Sequence, residues 1–575
     1  MASVTHRTKP DPELTTMPGG IPYIIGNELA ERFSFYGMKC ILTVFMTKHL
    51  LDATGQPDYM TDESAKSMYH LFTASAYFFP MIGAIIADVL WGKYKTILLI
   101  STMYCLGHGC LALMDVGPAM GWWSMKPFLF AGLALIAIGA GGIKPCVSAH
   151  VGDQFGSGNK HLLTQVFNWF YFSINLGAAA STLLTPVLLN THGPWLAFGL
   201  PGILMAVATF MFWIGRHTFV HVPPSGWQEF KRETFSAQGI RALKNLAPLF
   251  IIFVPMFWAI FDQTGSAWVL QAESMDRVLG ITWLESQVQV VNPVLILLLI
   301  PTFTYVLYPA MGKFFEPTPL RKIGLGLLLT AAAFAISGFV ETRIQRDGGA
   351  PAKALWTDLI ADEAAPESIG SLTTTAEKVG LSQESIDSYL EQSKQLVAQA
   401  ADEEAKKTAT AGLASKLWGD IVAANKQPEK LVDVVRTARA VGWEQEKIGP
   451  YLDDMPNIGW QFFAYLVLTS AEILVSIVCL EFAYTQSPPK MKSFIMGVFF
   501  LGVSFGNFFV SGLNFVLDRI KAATNSNPLE GASYYWFFAA LMLVTFVAYV
   551  VFAMRYKGET FIQGEDDAPA VDTQG

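Results

Sequence analysis

The 575-residue chain is poor in charge, since Asp, Glu, Lys and Arg together make up 15% of it. A soluble chain of average composition carries about 25%. Hydrophobic residues reach 52% and fall in many long runs. The deficit of charge excludes an ordinary soluble protein, and the number of apolar runs excludes a protein held by one or two anchors. We predict an all-α polytopic membrane protein.

Cysteine is also scarce, and its placement argues against a disulfide framework. Such a framework uses an even number of cysteines at regular spacings. The five cysteines here all lie in apolar segments: Cys40, Cys105, Cys110, Cys146 and Cys479.

Sequence signatures of enzymes are missing as well. The chain has no metal-ligand spacing, nucleophile elbow or dinucleotide fingerprint, and Gly139-Ala-Gly-Gly lacks the Gly-Lys-Ser/Thr of a phosphate loop. Residues 1–20 contain Pro, Asp, Glu, Lys and Arg but no apolar core of a secretory signal. We therefore expect no enzyme activity, no metal or cofactor, no nucleic-acid partner, and a first membrane helix that is retained.

Apolar stretches of about 20 residues, long enough to cross a bilayer, occur twelve times by this reading. They fall near residues 22–50, 68–92, 95–114, 126–150, 161–189, 195–216, 247–271, 286–309, 320–343, 457–484, 490–516 and 531–555. Six lie on each side of a polar link, which predicts two six-helix bundles.

The basic residues predict the orientation, because short cytoplasmic loops are enriched in Lys and Arg. Loops after even-numbered spans carry most of them, including Lys93, Lys95, Lys160, Arg216, Lys313, Arg321, Lys322 and Arg555. Both termini are therefore expected in the cytoplasm. The predicted parts are a cytoplasmic tail (1–21), a first bundle (22–216), a cytoplasmic linker (217–246), a second bundle (247–343 and 457–555), and a cytoplasmic tail (556–575).

This orientation puts residues 344–456 outside, between the ninth and tenth spans. The segment holds 19 acidic and 12 basic residues, so it carries most of the chain's net charge of −8. It also contains a duplication, because Ala352–Asp358 aligns on Ala414–Asp420 and Val379–Leu390 on Val441–Leu452 at a constant offset of 62 residues. We predict two copies of one short helical unit packed together. Its expected role is a stable external cap, with substrate or partner binding as the alternative.

Ionisable residues interrupt several of the apolar runs. A charge at mid-bilayer costs roughly 2.5–3.5 kcal/mol on insertion scales, so such residues normally face a polar interior. They are Glu28, Glu31, Arg32 and Lys39 in the first span, and Lys144, Asp262 and Glu472 in later ones. In the first span, Glu28 and Arg32 are spaced to pair at i, i+4. This predicts a polar cavity whose acid–base cluster holds or releases a proton, with a static ion-pair network as the alternative.

The sequence resembles the proton-coupled oligopeptide transporter (POT) family of the major facilitator superfamily. The similar motifs are Glu28-Leu-Ala-Glu31-Arg32-Phe33-Ser-Phe35-Tyr36-Gly37, Gly83-Ala-Ile-Ile-Ala-Asp88, Trp91-Gly92-Lys93-Tyr94-Lys95, and Phe170-Tyr171-Phe-Ser-Ile174-Asn175-Leu-Gly177. The chain departs from the family pattern at Phe35, usually Tyr, at Lys39, usually Arg, and at Ala178, usually Ser. The resemblance implies a major facilitator fold. We also expect a monomeric protein of the bacterial inner membrane, with the repeat in the periplasm.

The resemblance also implies a substrate and the residues that bind it. A di- or tripeptide is a zwitterion, so Lys39 and Lys144 would attract its carboxylate and Glu472 its amine. Asn175 would hold the peptide backbone or amine. The aromatic residues Tyr36, Tyr77 and Trp258 would line side-chain pockets, with ordinary packing as the alternative.

Proton coupling and gating are implied in the same way, with the proton as coupling ion. Glu28, Glu31, Arg32, His70 and Asp262 are the expected proton-coupling residues, although His70 alone fits a structural hydrogen bond equally well. Lys144 with Glu472 would close the cytoplasmic side, and Lys39 with Asp262 the external side. Asp88 and Lys93 resemble a cytoplasmic latch. The alternatives are a carrier of nitrate or an amino-acid-like solute, a peptide receptor, or a membrane enzyme.

Overall fold

Helices form nearly all of the structure, a computed structural model that describes residues 6–234, 236–362, 366, 368–400, 403–486 and 492–556. An apolar run can satisfy its backbone hydrogen bonds inside a bilayer only as a helix or a closed barrel. The first nine long helices are α1 (Ile21–Lys48), α2 (Asp62–Trp91), α3 (Lys93–Leu113), α4 (Met125–Gly152), α5 (Lys160–His192), α6 (Pro194–His217), α7 (Gly239–Ala272), α8 (Gln287–Met311) and α9 (Pro319–Asp347).

Six shorter helices and three long ones follow in the chain. They are α10 (Gly349–Ala361), α11 (Gly370–Lys378), α12 (Gln383–Gln399), α13 (Glu403–Ala423), α14 (Leu431–Ala440), α15 (Gln445–Ile448), α16 (Gly459–Ala483), α17 (Lys492–Thr524) and α18 (Ala532–Arg555). Short helices also cover Val116–Met120 and Trp227–Thr234. Between α7 and α8, the strands β1 (Val278–Leu279) and β2 (Ile281–Thr282) form an antiparallel hairpin that pairs Val278 with Thr282.

Eleven of the described helices are long and apolar enough to cross a bilayer. The helix α1 is not among them, although it has 28 residues, because its ionisable residues interrupt the apolar run. The predicted all-helical membrane architecture is therefore confirmed, and the twelfth span stays a prediction. Residues 1–5 of the predicted first tail and 557–575 of the predicted last tail lie outside the described residues.

Two helices begin before the apolar run that predicts them. The second span was predicted to start at residue 68, but α2 starts at Asp62, where the Thr61 hydroxyl accepts a hydrogen bond from the Ser64 amide at 3.1 Å. Within the predicted linker, the Ser236 hydroxyl caps the first turn of the helix that continues into α7, accepting from the Gly239 amide at 3.1 Å. A polar cap satisfies the free amides of a first turn wherever water can reach it.

Two buried cores divide the membrane helices into two groups. One is built from α1–α6, and the other from α7–α9 and α16–α18. Within the groups, glycines let helix backbones approach each other closely. A Cβ added at Gly83 of α2 would lie 2.3 Å from the carbonyl oxygen of Gly142 in α4, and one at Gly506 of α17 would lie 2.1 Å from that of Pro255 in α7.

Helices α10–α15 pack around a third core of their own. Equivalent residues of the two sequence copies meet in reciprocal contacts, as expected for two units related by a two-fold axis. The Tyr389 hydroxyl donates to Asp420 and the Tyr451 hydroxyl donates to Asp358, each at 2.5 Å. We call α10–α15 the tandem repeat, and we call the end of the bundles that carries it the repeat side.

Four long helices contain a π turn, in which the ladder of hydrogen bonds takes in one extra residue. The turns are Ala87–Trp91 in α2, Leu249–Phe253 in α7, Phe303–Leu307 in α8 and Ile473–Ile477 in α16. All four lie in the half of the helix away from the repeat side.

We predict that Gly83→Ala destabilises the folded protein by about 1–3 kcal/mol, the usual cost of overfilling a packed interior. Gly109→Ala is the matched control, because a Cβ at Gly109 meets no atom within 4 Å. Thermal unfolding in detergent, followed by tryptophan fluorescence, measures both variants. Equal unfolding midpoints would contradict the close contact between α2 and α4.

Candidate functional site

The acid–base cluster of α1 is buried inside the first bundle. The Arg32 Nε lies 2.6 Å from Glu28 Oε1 and 3.1 Å from Glu31 Oε2. Both glutamates are 1% exposed. The predicted i, i+4 contact is therefore present, and a single guanidinium faces two carboxylates. Such a triad is sensitive to the gain or loss of one proton, because protonation of either glutamate reduces the number of negative charges that face the guanidinium from two to one.

Lys144 of α4 lies against aromatic rings. Its Nζ lies 3.9 Å from the centroid of the Phe35 ring and 4.4 Å from that of Tyr77. Among the described residues this Nζ has no hydrogen-bond partner, although Lys144 is only 8% exposed. Ring faces attract a cation by their quadrupole, so they hold the ammonium without neutralising it.

Glu472 of α16 bonds within its own bundle. Its Oε2 accepts a hydrogen bond from Asn292 Nδ2 of α8 at 2.7 Å, and Asn292 also donates to the Thr469 hydroxyl at 3.1 Å. The predicted pair of Lys144 with Glu472 is therefore open in this conformation.

The other predicted pair is closed. Lys39 Nζ of α1 lies 2.8 Å from Asp262 Oδ1 of α7, and both residues are buried. Asn507 of α17 donates from Nδ2 to the second oxygen of Asp262 at 2.8 Å, and the His70 Nδ1 of α2 lies 2.7 Å from the Asn507 amide oxygen. A carboxylate only accepts, so the orientation of the amide is fixed and His70 Nδ1 is the donor. Two helices from each bundle thus meet in one network.

The predicted pocket residues lie near these charges. The rings of Tyr77 and Trp258 are 6.3 Å apart across the boundary between the bundles. Tyr36 follows Phe35 on α1 and is half-buried. The Asn175 amide is 7% exposed and donates from Nδ2 to the Tyr171 carbonyl at 3.0 Å, which leaves its oxygen outside that bond.

On the repeat side, a cluster of charges covers the ends of the helices. Lys48 of α1 lies 3.1 Å from Glu273 and also contacts Glu285, which in turn binds Arg277. Burial alone would raise the pKa of Glu273, but the charges of Arg436 and Lys48 hold it below its usual range. The carboxylate therefore stays ionised, and the bundles are joined on this side.

The residues of the predicted latch lie at the other end of the first bundle. Lys93 Nζ pairs with Asp153 Oδ2 at the end of α4 at 2.8 Å, and the Asp88 carbonyl accepts from the Ser225 amide at 2.8 Å. The described contacts thus give Lys93 a carboxylate other than Asp88, and the latch itself stays a prediction. In the described parts of the chain, no three His, Cys, Asp or Glu side chains cluster closely enough to hold a metal ion.

The sequence model of the POT family matches residues 94–235, 227–361 and 435–537, which together span more than half of the chain. Lys144, Asp262 and Glu472 lie inside these ranges, and the charged residues of α1 lie outside them. The chain belongs to the POT family.

Its relatives in this family align over most of their length. The chain is 30% identical to Peptide transporter 3 of Caenorhabditis elegans, with 96% of the chain and 95% of that protein aligned. It is 31% identical to Peptide transporter family 1 of Drosophila melanogaster, with 97% and 90% aligned. Both are animal proteins, so a bacterial origin stays a prediction.

A solved structure of the same family has a similar fold. The crystal structure of an auto-inhibited POT family peptide transporter is 28% identical in sequence and superposes with a TM-score of 0.67 over 96% of this chain and 99% of that one. The predicted major facilitator fold is thereby confirmed.

Three polar residues of the site were not predicted from the sequence. Asn292 and Asn507 are amides within apolar runs, and that position was the one available signal for them. Tyr104 of α3 is fully buried beside Glu31, and its hydroxyl has no described hydrogen-bond partner. A tyrosine in an apolar run usually packs as an aromatic residue, so the position of Tyr104 did not mark it as part of a site.

Asp262→Asn should destabilise the protein by about 3–5 kcal/mol, because it leaves the Lys39 charge buried without a counter-ion. The double variant Lys39→Met/Asp262→Asn should recover part of this loss, since it removes both charges. Thermal unfolding in detergent compares the two variants. An Asp262→Asn protein that melts like the unsubstituted one would contradict a buried ion pair.

Proposed function

We propose that this protein is a proton-coupled symporter that imports di- and tripeptides by alternating access. The observation that carries the proposal is the state of two charge pairs between the bundles. Lys39 contacts Asp262 at 2.8 Å, whereas Glu472 bonds Asn292 and lies apart from Lys144. Rocking of two bundles around a central site needs contacts that close in turn. Relatives named peptide transporters support peptides as the substrate.

The peptide lies between the bundles with its carboxylate toward Lys144 and its amine toward Glu472. In this conformation Lys39 is occupied by Asp262, so Lys144 is the cation available to the peptide. Asn175 contacts the peptide backbone or amine, and Tyr36, Tyr77 and Trp258 contact its side chains. The presence of both a cation and an anion favours a zwitterion over a simple anion such as nitrate.

Protons enter through the acids near the same region. Glu28 and Glu31 exchange a proton while Arg32 balances whichever carboxylate remains charged. His70 is linked to Asp262 through Asn507. A change in the protonation of His70 therefore affects the Lys39–Asp262 pair that closes the repeat side. The proton is the coupling ion, and the cycle needs no resident cofactor.

The repeat side corresponds to the cell exterior. The protein acts as a monomer surrounded by lipid in the inner membrane, with both termini in the cytoplasm and the tandem repeat in the periplasm. Asp88 and Lys93 belong to a cytoplasmic latch that engages when Lys144 and Glu472 pair. The concentration of Lys and Arg in the loops away from the repeat supports this orientation.

Uptake of a labelled dipeptide by the purified protein in liposomes tests the function. An inward proton gradient should drive accumulation above the external concentration, and a protonophore should abolish it. Uptake that ignores the gradient, or absence of dipeptide uptake, would refute proton-coupled peptide import.

Glu28→Gln and Glu31→Gln should each abolish proton-driven accumulation but leave dipeptide counterflow largely intact. The reason is that exchange between two peptide pools needs no net proton movement. Both assays run on the same proteoliposomes. Unchanged accumulation in both variants would remove these residues from the coupling step.

Glu472→Gln should weaken dipeptide binding roughly ten- to hundredfold, because a hydrogen bond to a charged group is worth about 1.5–3 kcal/mol. Glu384→Gln, at an exposed position of the tandem repeat, is the control. Competition by an unlabelled dipeptide measures the affinity. Normal affinity in Glu472→Gln would rule out this carboxylate as the amine partner.

A further inference from the structure

The tandem repeat touches both bundles at once. Arg436 of α14 lies 3.0 Å from Asp62, the first residue of α2, and 2.9 Å from Glu273, just after α7. A guanidinium is a planar fork whose several N–H groups can bind two carboxylates together. One side chain of the repeat therefore joins an acid of the first bundle to an acid of the second.

A second arginine of the same helix extends this contact. Arg439 lies 3.5 Å from Glu285, the carboxylate that Lys48 of α1 also binds. Glu273 is 0% exposed and Glu285 is 7% exposed. The charges thus alternate without interruption from α1, through the loop after α7, to α14, and they are largely shielded from water.

The duplication supplies an internal comparison. The offset of 62 residues aligns Arg436 with Thr374 and Arg439 with Glu377. The neighbouring residues Thr375 and Thr437 are equivalent in the two copies, and their hydroxyls hydrogen-bond each other at 2.6 Å. The 62-residue alignment therefore holds at this point of the structure. The first copy folds without either cation, which means that the fold of the unit does not require them.

The first copy makes a different contact. Its Gly370 packs on Pro57 in the loop between α1 and α2, where a Cβ would come within 2.7 Å, and the Ser368 hydroxyl donates to Gln56 at 3.2 Å. The repeat is joined through the chain to α9 and α16 of the second bundle. The repeat is therefore fastened to the first bundle at Gln56, Pro57 and Asp62.

We infer that the tandem repeat is a clamp that holds the repeat side closed, with Arg436 and Arg439 as further gate residues of the transport cycle. The inference rests on the proposed alternating access. Opening this side moves α2 away from the loop after α7 and strips Arg436 from one of its two carboxylates. Loss of this partner is costly for Glu273, which is fully buried, and costs less for Asp62, whose side chain is 32% exposed. The clamp therefore favours the conformation in which Lys39 and Asp262 are paired.

The distance between spin labels on the repeat side of the two bundles tests the clamp. Labels are placed by Trp122→Cys, between α3 and α4, and Ile281→Cys in β2, which are 64% and 59% exposed. The half-exposed Cys105 and Cys110 are replaced by serine in all proteins. The test variant is Arg436→Thr/Arg439→Gln. The control is Lys430→Thr, because Lys430 precedes α14 but contacts Glu530 of the second bundle.

The double variant should raise the population with the longer distance about fivefold or more, the low end of typical coupling between two states. Lys430→Thr should leave the distribution unchanged. No rise in the double variant, or an equal rise in the control, would overturn the clamp. The measurement uses no substrate, so it is separate from the proposed function: absence of dipeptide uptake by the unsubstituted protein refutes transport, whereas unchanged distances in a protein that takes up dipeptide refute only the clamp.

Discussion

The buried ion pair of Lys39 and Asp262 is the contact on which the arrangement of the two bundles depends. It joins α1 to α7, and through Asn507 and His70 it also involves α17 and α2. A buried pair adds little net stability compared with apolar packing, but loss of one partner costs several kcal/mol. Such a contact is therefore either fully made or fully replaced by other partners, which suits a protein with two alternative closed sides.

The signs of the charges are divided between the bundles. The first bundle supplies the cations Lys39 and Lys144, and the second supplies the acids Asp262 and Glu472. The tandem repeat, an insertion in the second bundle, reverses this order where Arg436 meets Asp62 of the first. Attraction in both directions across one boundary keeps the bundles in register, because a shift that improved one set of pairs would separate the other.

The sequence predicted the parts of the site that follow a local rule. Glu28 and Arg32 lie one turn apart, so their contact could be read from spacing, and the apolar runs gave the long helices. It could not predict Asn507 or Arg436. The partners of Asn507 lie hundreds of positions away, and Arg436 is one of 12 basic residues in a polar segment with no feature to distinguish it. Spacing also did not give Asp153 as the partner of Lys93, because only the fold brings α4 to that corner.

The π turns give the two sides of the protein different mechanical character. A π turn widens the helix and weakens its regular ladder, so it is a natural place for a helix to flex. Of the four described turns, three belong to the second bundle, and one of them begins directly after Glu472. The half of the molecule away from the repeat side therefore holds all four of these turns, three in the second bundle and one in α2 of the first. The repeat side is thus held by ion pairs, whereas the opposite side lies beside the helix segments whose hydrogen-bond ladder is weakest.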